Sequence, residues 1–126
     1  IEFVSKLQVS PYVILIAIMI TILILGCFME TVAIMMITVP IFIPVIQALG
    51  FDSLWFCVLI LINMETGLLT PPFGVTLFVM KGVSPKEITM ADIWKAAIPF
   101  ALVDYLCLAF VVTIPKIALY LPSLMK

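Results

Sequence analysis

Four long runs of apolar residues make up most of the chain, and the polar residues are concentrated between them. The runs cover residues 7–29, 31–51, 53–80 and 93–121. A helix rises about 1.5 Å per residue, so each run is long enough to cross the roughly 30 Å hydrocarbon core of a bilayer. The pattern therefore predicts an all-α membrane protein.

The junction between the first two runs, at Glu30 and Thr31, has two interpretations. If the runs are ordinary membrane spans, the junction is a short external turn and Glu30 is exposed to water. If they are the arms of a re-entrant hairpin, residues 26–31 form its tip and lie deep inside the protein. The spacing alone does not separate these interpretations. We also expect Pro40 and Pro44 to break the second run, because proline lacks a backbone N–H.

The third run, residues 53–80, has an unusual centre. Near its middle lie one acid, two threonines, two glycines and two adjacent prolines: Glu65, Thr66, Gly67, Thr70, Pro71, Pro72 and Gly74. Proline disfavours helical backbone in the residue before it, so we expect the helix to end at about Thr70. Within a bilayer, non-helical backbone is tolerated only where protein or a water-filled cavity surrounds it. The sequence therefore predicts a discontinuous helix at a site inside a larger protein.

Two kinds of chemistry fit such a break. Unwinding frees carbonyl oxygens, which together with hydroxyl groups hold small monovalent cations such as Na⁺. The N-terminus of a half-helix presents N–H groups and the positive end of a dipole, which suit a carboxylate. The alternative is a proline kink that serves packing alone, although two prolines, two glycines, two threonines and an acid within ten residues make that interpretation weaker.

Three acids lie within or between the apolar runs. A charge at the centre of a membrane costs roughly 2.5–3.5 kcal/mol on insertion scales, so each acid needs a reason to be there. Glu30 is a candidate cation ligand or proton acceptor, or else an acid of an interfacial loop. Glu65 either accepts bonds from the unwound backbone or faces water. Asp104 is expected near an interface or paired with a helix outside the chain.

A polar connection, residues 81–92, precedes the last run. Three of the six lysines lie between positions 81 and 95, which favours a cytoplasmic location. Ser84 and Glu87 have the spacing of a capping box and predict a short interfacial helix, while Thr89 and Asp92 repeat that spacing just before the last run. We expect residues 93–121 to form the last transmembrane helix.

Composition narrows the function further. Only 10% of the 126 residues are charged, against about 25% in an ordinary soluble domain, and 66% are hydrophobic. The chain therefore cannot cover a soluble fold, and it lacks the basic patch that nucleic acid needs. With no His and no recognisable catalytic motif, it is not expected to be an enzyme. The three cysteines, Cys27, Cys57 and Cys107, match no metal or redox spacing.

Several blocks, in order along the chain, resemble the large membrane subunit of tripartite ATP-independent periplasmic (TRAP) transporters. The most specific is NMETGLLTPPFGV, residues 63–75. The others are GCFMETVA (26–33), PIFIPV (40–45), LGFD (49–52), LFV (77–79), GVS (82–84) and PKIALYLP (115–122). The resemblance covers essentially the whole chain, which would correspond to the C-terminal third of that subunit.

The resemblance implies an elevator-type secondary transporter built from two inverted repeats, of which this chain would carry one. Residues 7–48 would contain the repeat's re-entrant hairpin, with its tip near residues 26–31. Residues 53–80 would be the broken helix facing that tip. The hairpin would enter from the periplasm, which agrees with a cytoplasmic connection at residues 81–92, followed by the last transmembrane helix.

The resemblance also implies Na⁺-coupled uptake of organic acids, such as C4-dicarboxylates or sialic-acid-like carboxylates, across the bacterial inner membrane. The partners would be a periplasmic substrate-binding protein and a small four-helix membrane subunit; no cofactor is expected beyond Na⁺ as coupling ion. The implied substrate and cation site comprises Gly26, Glu30, Thr31, Asn63, Glu65, Gly67, Thr70, Pro71, Pro72 and Gly74, with Na⁺ near Glu30, Gly67 and Thr70.

Two positions depart from the family pattern. Many members carry Asp where this chain has Glu30, and Thr66 stands where a small apolar residue is common, so no role is assigned to its hydroxyl. The alternative function, from a different class, is a structural or assembly subunit whose helices only pack against a partner.

Overall fold

The computed structural model describes residues 10–70 and 74–125, and every regular element within them is an α-helix. The helices are α1 (Pro11–Phe28), α2 (Thr31–Ala48), α3 (Ser53–Leu69), α4 (Val75–Val83), α5 (Met90–Thr113) and α6 (Lys116–Leu124). Of these, α1, α2 and α5 are long and apolar enough to cross a membrane. The prediction of an all-helical membrane protein is confirmed.

Helices α1 and α3 lie side by side and run in the same direction. Near their starts, the rings of Tyr12 and Phe51 pack edge to face, with the ring centroids 5.3 Å apart. Midway along, the buried Asn63 side chain donates from Nδ2 to the carbonyl oxygen of Met19, at 2.7 Å. Because the contacts advance together along both helices, the two C-terminal ends lie at the same end of the pair.

The hydrophobic core forms where α1, α2 and α3 meet. Its most deeply buried side chains come from all three helices: Leu15, Ile22, Ile34, Ile46, Phe56, Leu59, Ile60 and Met64. Because α1 and α3 are parallel, α2 carries the chain back from the end of one to the start of the other. A hydrogen bond from Gln47 to Ser53, at 3.0 Å, closes that return.

Helix α5 is attached to α3 by one buried hydrogen bond. The indole Nε1 of Trp55 donates to the carbonyl oxygen of Val111, at 2.8 Å. In a continuous helix this carbonyl would accept from residue 115, but Pro115 has no N–H. The indole therefore supplies the donor that the proline lacks, and joins the start of α3 to the end of α5.

The two prolines of α2 do not break the helix, contrary to the expectation. Helix α2 continues from Thr31 to Ala48 through both Pro40 and Pro44. The prolines are four residues apart, so they share one face, and that face is exposed. The inner face, which includes the buried Ile34, stays packed and keeps its helical bonds, while the missing donors affect the outer face only.

The last apolar run differs from its prediction as a single helix over residues 93–121. Helix α5 begins earlier, at Met90, and ends at Thr113, and the separate helix α6 begins at Lys116. The interruption falls at Pro115, which disfavours helical backbone in the preceding residue. Ile114 accordingly leaves the helical region, with φ −125° and ψ 79°.

The two capping-box spacings before α5 have different outcomes. At the start of α5, Thr89 Oγ1 accepts from the backbone N–H of Asp92, and Asp92 Oδ2 accepts from the backbone N–H of Thr89. The interfacial helix predicted at Ser84 does not form. Only one turn is closed there, by the N–H of Ile88 bonding to the carbonyl of Pro85 at 3.1 Å. With Thr89 already capping α5, too few residues remain to nucleate another helix.

Trp55 and Trp94 provide a matched test of the bond between α3 and α5. Replacing Trp55 by Phe leaves the Val111 carbonyl without its indole donor, and we expect the free energy of unfolding to fall by about 1–3 kcal/mol. Trp94 is the control, because its buried Nε1 has no hydrogen-bond partner among the described residues. Chemical unfolding of the protein in detergent measures both; equal effects of Trp55→Phe and Trp94→Phe would contradict the assigned role.

Candidate functional site

The C-terminal ends of α1 and α3 cross at two buried glycines, Gly26 and Gly67. A Cβ atom at Gly67 would lie 3.0 Å from the Cα of Gly26 and 3.1 Å from the carbonyl oxygen of Leu23. Those distances are too short for a side chain, so the backbones touch because neither residue has one. The crossing brings the C-terminal end of α1 against the C-terminal end of α3.

Asn63 lies one turn before Gly67 on the same face of α3. It is buried, and its Nδ2 donates to the Met19 carbonyl of α1. The structure therefore gives this predicted site residue a packing role, since the bond ties α3 to α1 immediately below the crossing. A buried amide without such a partner would destabilise the fold.

Glu30 is exposed and caps the N-terminus of α2. Its Oε2 accepts from the backbone N–H of Val32 at 2.9 Å and of Ala33 at 3.4 Å. The carboxylate thereby satisfies N–H groups that have no helical partner and sits at the positive end of the α2 dipole. Thr31, half-buried, is the first residue of α2. Residue type alone does not predict this cap, because Ser, Thr, Asp and Asn are the preferred capping residues.

Two threonines shape the end of α3. Thr66 Oγ1 donates to the carbonyl of Ile62 at 2.8 Å, and Thr70 Oγ1 donates to the carbonyl of Thr66 at 2.5 Å. The backbone N–H of Thr70 donates to the carbonyl of Gly67 at 3.1 Å. The carbonyl oxygens at the end of α3 thus accept hydrogen bonds from threonine groups of the same helix end. Each carbonyl oxygen has two lone pairs, and these bonds with Thr70 occupy one on Thr66 and one on Gly67.

The helix resumes after a glycine with a left-handed backbone. Gly74 has φ +48° and immediately precedes α4, and a Cβ atom there would lie 2.9 Å from the carbonyl oxygen of Leu68. Both the backbone conformation and the lack of space require glycine. The helix is therefore interrupted between Leu69 and Val75. The two prolines assigned to the site, Pro71 and Pro72, lie outside the described residues.

The structure does not bring Glu65 to the crossing. Glu65 is exposed, and it lies two residues from both Asn63 and Gly67, on the opposite side of α3. Asp104, on α5, is half-buried. Of the ten predicted site residues, the crossing and the break unite Gly26, Gly67, Thr70 and Gly74, with Glu30 and Thr31 just beyond the end of α1.

Tyr105 of α5, which is not among the predicted site residues, contacts Thr70 at the end of α3. Its hydroxyl oxygen lies 3.4 Å from Thr70 Oγ1. A cavity of about 180 Å³ adjoins this contact and is lined by Leu69, Thr70, Ile98, Ala101, Leu102 and Tyr105. The available signal was a polar aromatic residue well inside an apolar run, next to Asp104.

No group of three or more His, Cys, Asp or Glu in the described part of the chain could hold a metal ion. The donors at the crossing are backbone carbonyl oxygens and a threonine hydroxyl, which are ligands suited to hard cations.

These features define a multi-pass helical membrane protein with an interrupted helix crossing another at its core. The sequence profile of the family described as "Tripartite ATP-independent periplasmic transporter, DctM component" matches residues 1–117. The chain belongs to this family, so the resemblance inferred from the sequence blocks is confirmed.

Named relatives extend the match across most of the chain. It is 37% identical over 122 residues to the "C4-dicarboxylate TRAP transporter large permease protein DctM" of Pseudomonas aeruginosa, covering 97% of this chain and 28% of that protein. It is 34% identical to the "Sialic acid TRAP transporter large permease protein SiaM" of Vibrio cholerae, covering 91% and 26%. It is also 34% identical to the "2,3-diketo-L-gulonate TRAP transporter large permease protein YiaN" of Escherichia coli, covering 92% and 27%.

The chain thus spans little more than a quarter of the length of these relatives. The names of the relatives favour the transport interpretation over that of an assembly subunit. No solved structure matches the chain.

Gly67 and Gly82 form a matched pair for testing the crossing. We expect Gly67→Ala to lower the free energy of unfolding by about 1–3 kcal/mol, because the added methyl group would overlap the Gly26 backbone and force the helices apart. Gly82 lies in α4 with no atom within 4 Å of an added Cβ, so Gly82→Ala is expected to be neutral or slightly stabilising. Unfolding of the complete subunit in detergent measures both, and a tolerated Gly67→Ala would show that the helices do not touch there.

Proposed function

We propose that this chain forms part of the large membrane subunit of a secondary active transporter, and that the subunit takes up organic acids with Na⁺. The names of the relatives specify a C4-dicarboxylate, a sialic acid or 2,3-diketo-L-gulonate. Such substrates share a carboxylate at neutral pH, so a carboxylate is the group that the site would need to recognise. The membrane would be the bacterial inner membrane.

The observation that carries the proposal is the crossing of Gly26 and Gly67. Because α1 and α3 are parallel, two C-terminal helix ends meet there, each with partial negative charge on its last carbonyl groups. The Gly67 carbonyl and the Thr70 hydroxyl lie at that point, and the Glu30 carboxylate lies just past the end of α1. An arrangement of oxygens around a region of negative potential would favour Na⁺.

The substrate carboxylate would lie on the other side of the break. Helix α4 begins there, and the first N–H groups of a helix carry its partial positive charge. Gly74 brings the start of α4 close to Leu68 at the end of α3, so the negative end of one half-helix and the positive end of the other are neighbours. Cation and carboxylate would then bind next to each other, which would couple their uptake.

Movement would follow an elevator scheme. Helices α1 and α2 would form a re-entrant hairpin that enters from the periplasm, and residues 81–92 would lie in the cytoplasm. The buried bonds from Asn63 to Met19 and from Trp55 to Val111 tie α1, α3 and α5 together, which suits movement as one body. A periplasmic binding protein would deliver the substrate, and a small four-helix membrane subunit would brace the fixed part of the assembly.

Thr70 tests the site at the break. In proteoliposomes with the complete subunit, its small partner and its binding protein, we expect uptake of labelled succinate, N-acetylneuraminate or 2,3-diketo-L-gulonate to require an inward Na⁺ gradient. Thr70→Ala should lower uptake at limiting Na⁺ about tenfold, since a hydrogen bond or ligand to a charged group contributes roughly 1.5–3 kcal/mol.

Thr21→Ala is the matched control for this experiment. Thr21 makes the same kind of bond, from Oγ1 to the Ala17 carbonyl four residues earlier at 2.9 Å, but on an exposed face of α1. We expect it to transport within twofold of the wild type. If uptake depends neither on the Na⁺ gradient nor on the Thr70 hydroxyl, the proposed site is wrong.

Glu30→Gln separates a cap from an electrostatic role. Glutamine keeps an oxygen that can accept from Val32 and Ala33 but removes the charge. If the carboxylate contributes to the cation site, the Na⁺ concentration for half-maximal uptake should rise several-fold, with little loss of stability. Glu87→Gln, at an exposed position in the connection before α5, is the control. An unchanged Na⁺ dependence would mean that Glu30 acts as a helix cap alone.

A further inference from the structure

Asp104 is the one charged residue in the apolar stretch between Lys95 and Lys116. That stretch, residues 96–115, has about the 20 residues that a membrane-spanning helix needs, and most of it belongs to α5, which is long and apolar enough to cross a membrane. Asp104 lies close to the midpoint of the stretch. Of the two locations expected for this acid, its depth argues against a membrane interface and favours a partner within the protein.

The side of α5 that carries Asp104 is the packed side. Residues three, four or seven apart share one face of a helix, and Asp104 shares its face with the buried Ala97, Ala101 and Val111. Asp104 itself is only half-buried, so part of its side chain is open to a further element. Carboxylates inside membranes face the interior of a helix bundle or a water-filled cavity, because lipid does not solvate them.

No group in the described part of the chain balances this charge. The Asp104 side chain forms no hydrogen bond or ion pair with any of the described residues. Lys95, the one lysine of α5, is nine residues away, which is about 14 Å along the helix axis and beyond the reach of a side chain. A charge at this depth is costly unless it is paired, and the residues that the structure describes supply no pair.

The surroundings of Asp104 suit a basic side chain better than a bound metal ion. A hard cation is held by several oxygen ligands, but the described residues on the face of Asp104 are apolar: Ala97, Ala101, Leu108 and Val111. A Lys or Arg side chain brings its own N–H donors and needs only one carboxylate as its partner. The missing counter-charge is therefore best supplied by another helix.

We propose that Asp104 forms an ion pair with a Lys or Arg on a membrane-embedded helix of the same large subunit, outside this chain. The inference rests on the proposal that the chain is part of such a subunit. The chain covers 26–28% of the length of the named relatives, so most helices of a subunit of that length lie outside it. The pair would fix the register of α5 against that helix, which apolar surfaces alone specify weakly.

A double-mutant cycle in the complete large subunit with its small partner, purified in detergent, tests the pair. Each Lys or Arg in an apolar run outside this chain is replaced by Met, alone and together with Asp104→Asn. We expect Asp104→Asn to raise the ratio of unfolded to folded protein in chemical unfolding about tenfold or more, because a base is left unpaired. One basic residue should give a similar loss alone, and almost no further loss when combined with Asp104→Asn.

Glu87→Gln and Lys95→Met are the controls. Both residues are exposed, Glu87 in the connection before α5 and Lys95 on α5 itself. Each should change the unfolding ratio within about twofold, and Lys95→Met should show no coupling to Asp104→Asn. If Asp104→Asn yields no folded protein, the double variant that also removes the partner base should restore folding, since no unpaired charge is then left.

Three results would overturn the inference. An Asp104→Asn subunit as stable as the wild type would show that the carboxylate has no ionic partner. Destabilisation without coupling to any Lys or Arg of the large subunit would assign the partner to the small subunit or to a bound cation. The third is the absence of any Lys or Arg from the apolar runs outside this chain. Unfolding requires no transport, so failure of the proposed function, detected as uptake that does not depend on Na⁺, is distinguished from failure of the pair.

Discussion

The contact of two bare backbones at Gly26 and Gly67 is the constraint on which the rest of the arrangement depends. Helices packed through side chains stay about 8–10 Å apart, and removing the side chains lets them approach more closely. That approach places the start of α2 beside the end of α3. A wider separation would leave the Glu30 cap and the Thr70 break as two unrelated helix ends rather than parts of one site.

The sequence predicted the helices and the interruption better than it predicted their partners. The Thr-Pro-Pro motif at residues 70–72 indicates a helix end, because the missing N–H and the proline ring act locally. Pro40 and Pro44 show the limit of that argument, since packing of the inner face keeps α2 continuous. Whether a proline ends a helix thus depends on whether it lies on the packed or the exposed face. When the whole helix is apolar, the sequence alone does not show which face that is.

The candidate site was also predicted only in part, because its residues were identified but their contacts were not. Gly67 and Thr70 were predicted from the composition of a short segment, Glu30 as an acid between two apolar runs, and Gly26 from the sequence blocks. None of these indicated that the glycines touch, that Glu30 caps α2, or that Tyr105 approaches from 35 residues away in sequence. Each of these roles is set by a partner distant in sequence or by backbone geometry. Glu65 shows the opposite error. It was assigned to the site because it is close to Gly67 in sequence, but the helical periodicity of α3 puts it on the opposite, exposed side of the helix.

The parallel direction of α1 and α3 has an electrostatic consequence. Like dipole ends placed side by side repel, and in a low-dielectric surrounding this repulsion is weakly screened. The two C-terminal ends therefore repel each other where the crossing is closest. The positive N-terminal ends of α2 and α4 nearby offset part of this repulsion, and hydrophobic packing along the rest of α1 and α3 holds the two helices together. A cation at that point, as proposed, would act as a counter-charge between the two helices, so that ion occupancy would adjust how firmly the hairpin end is held against the broken helix.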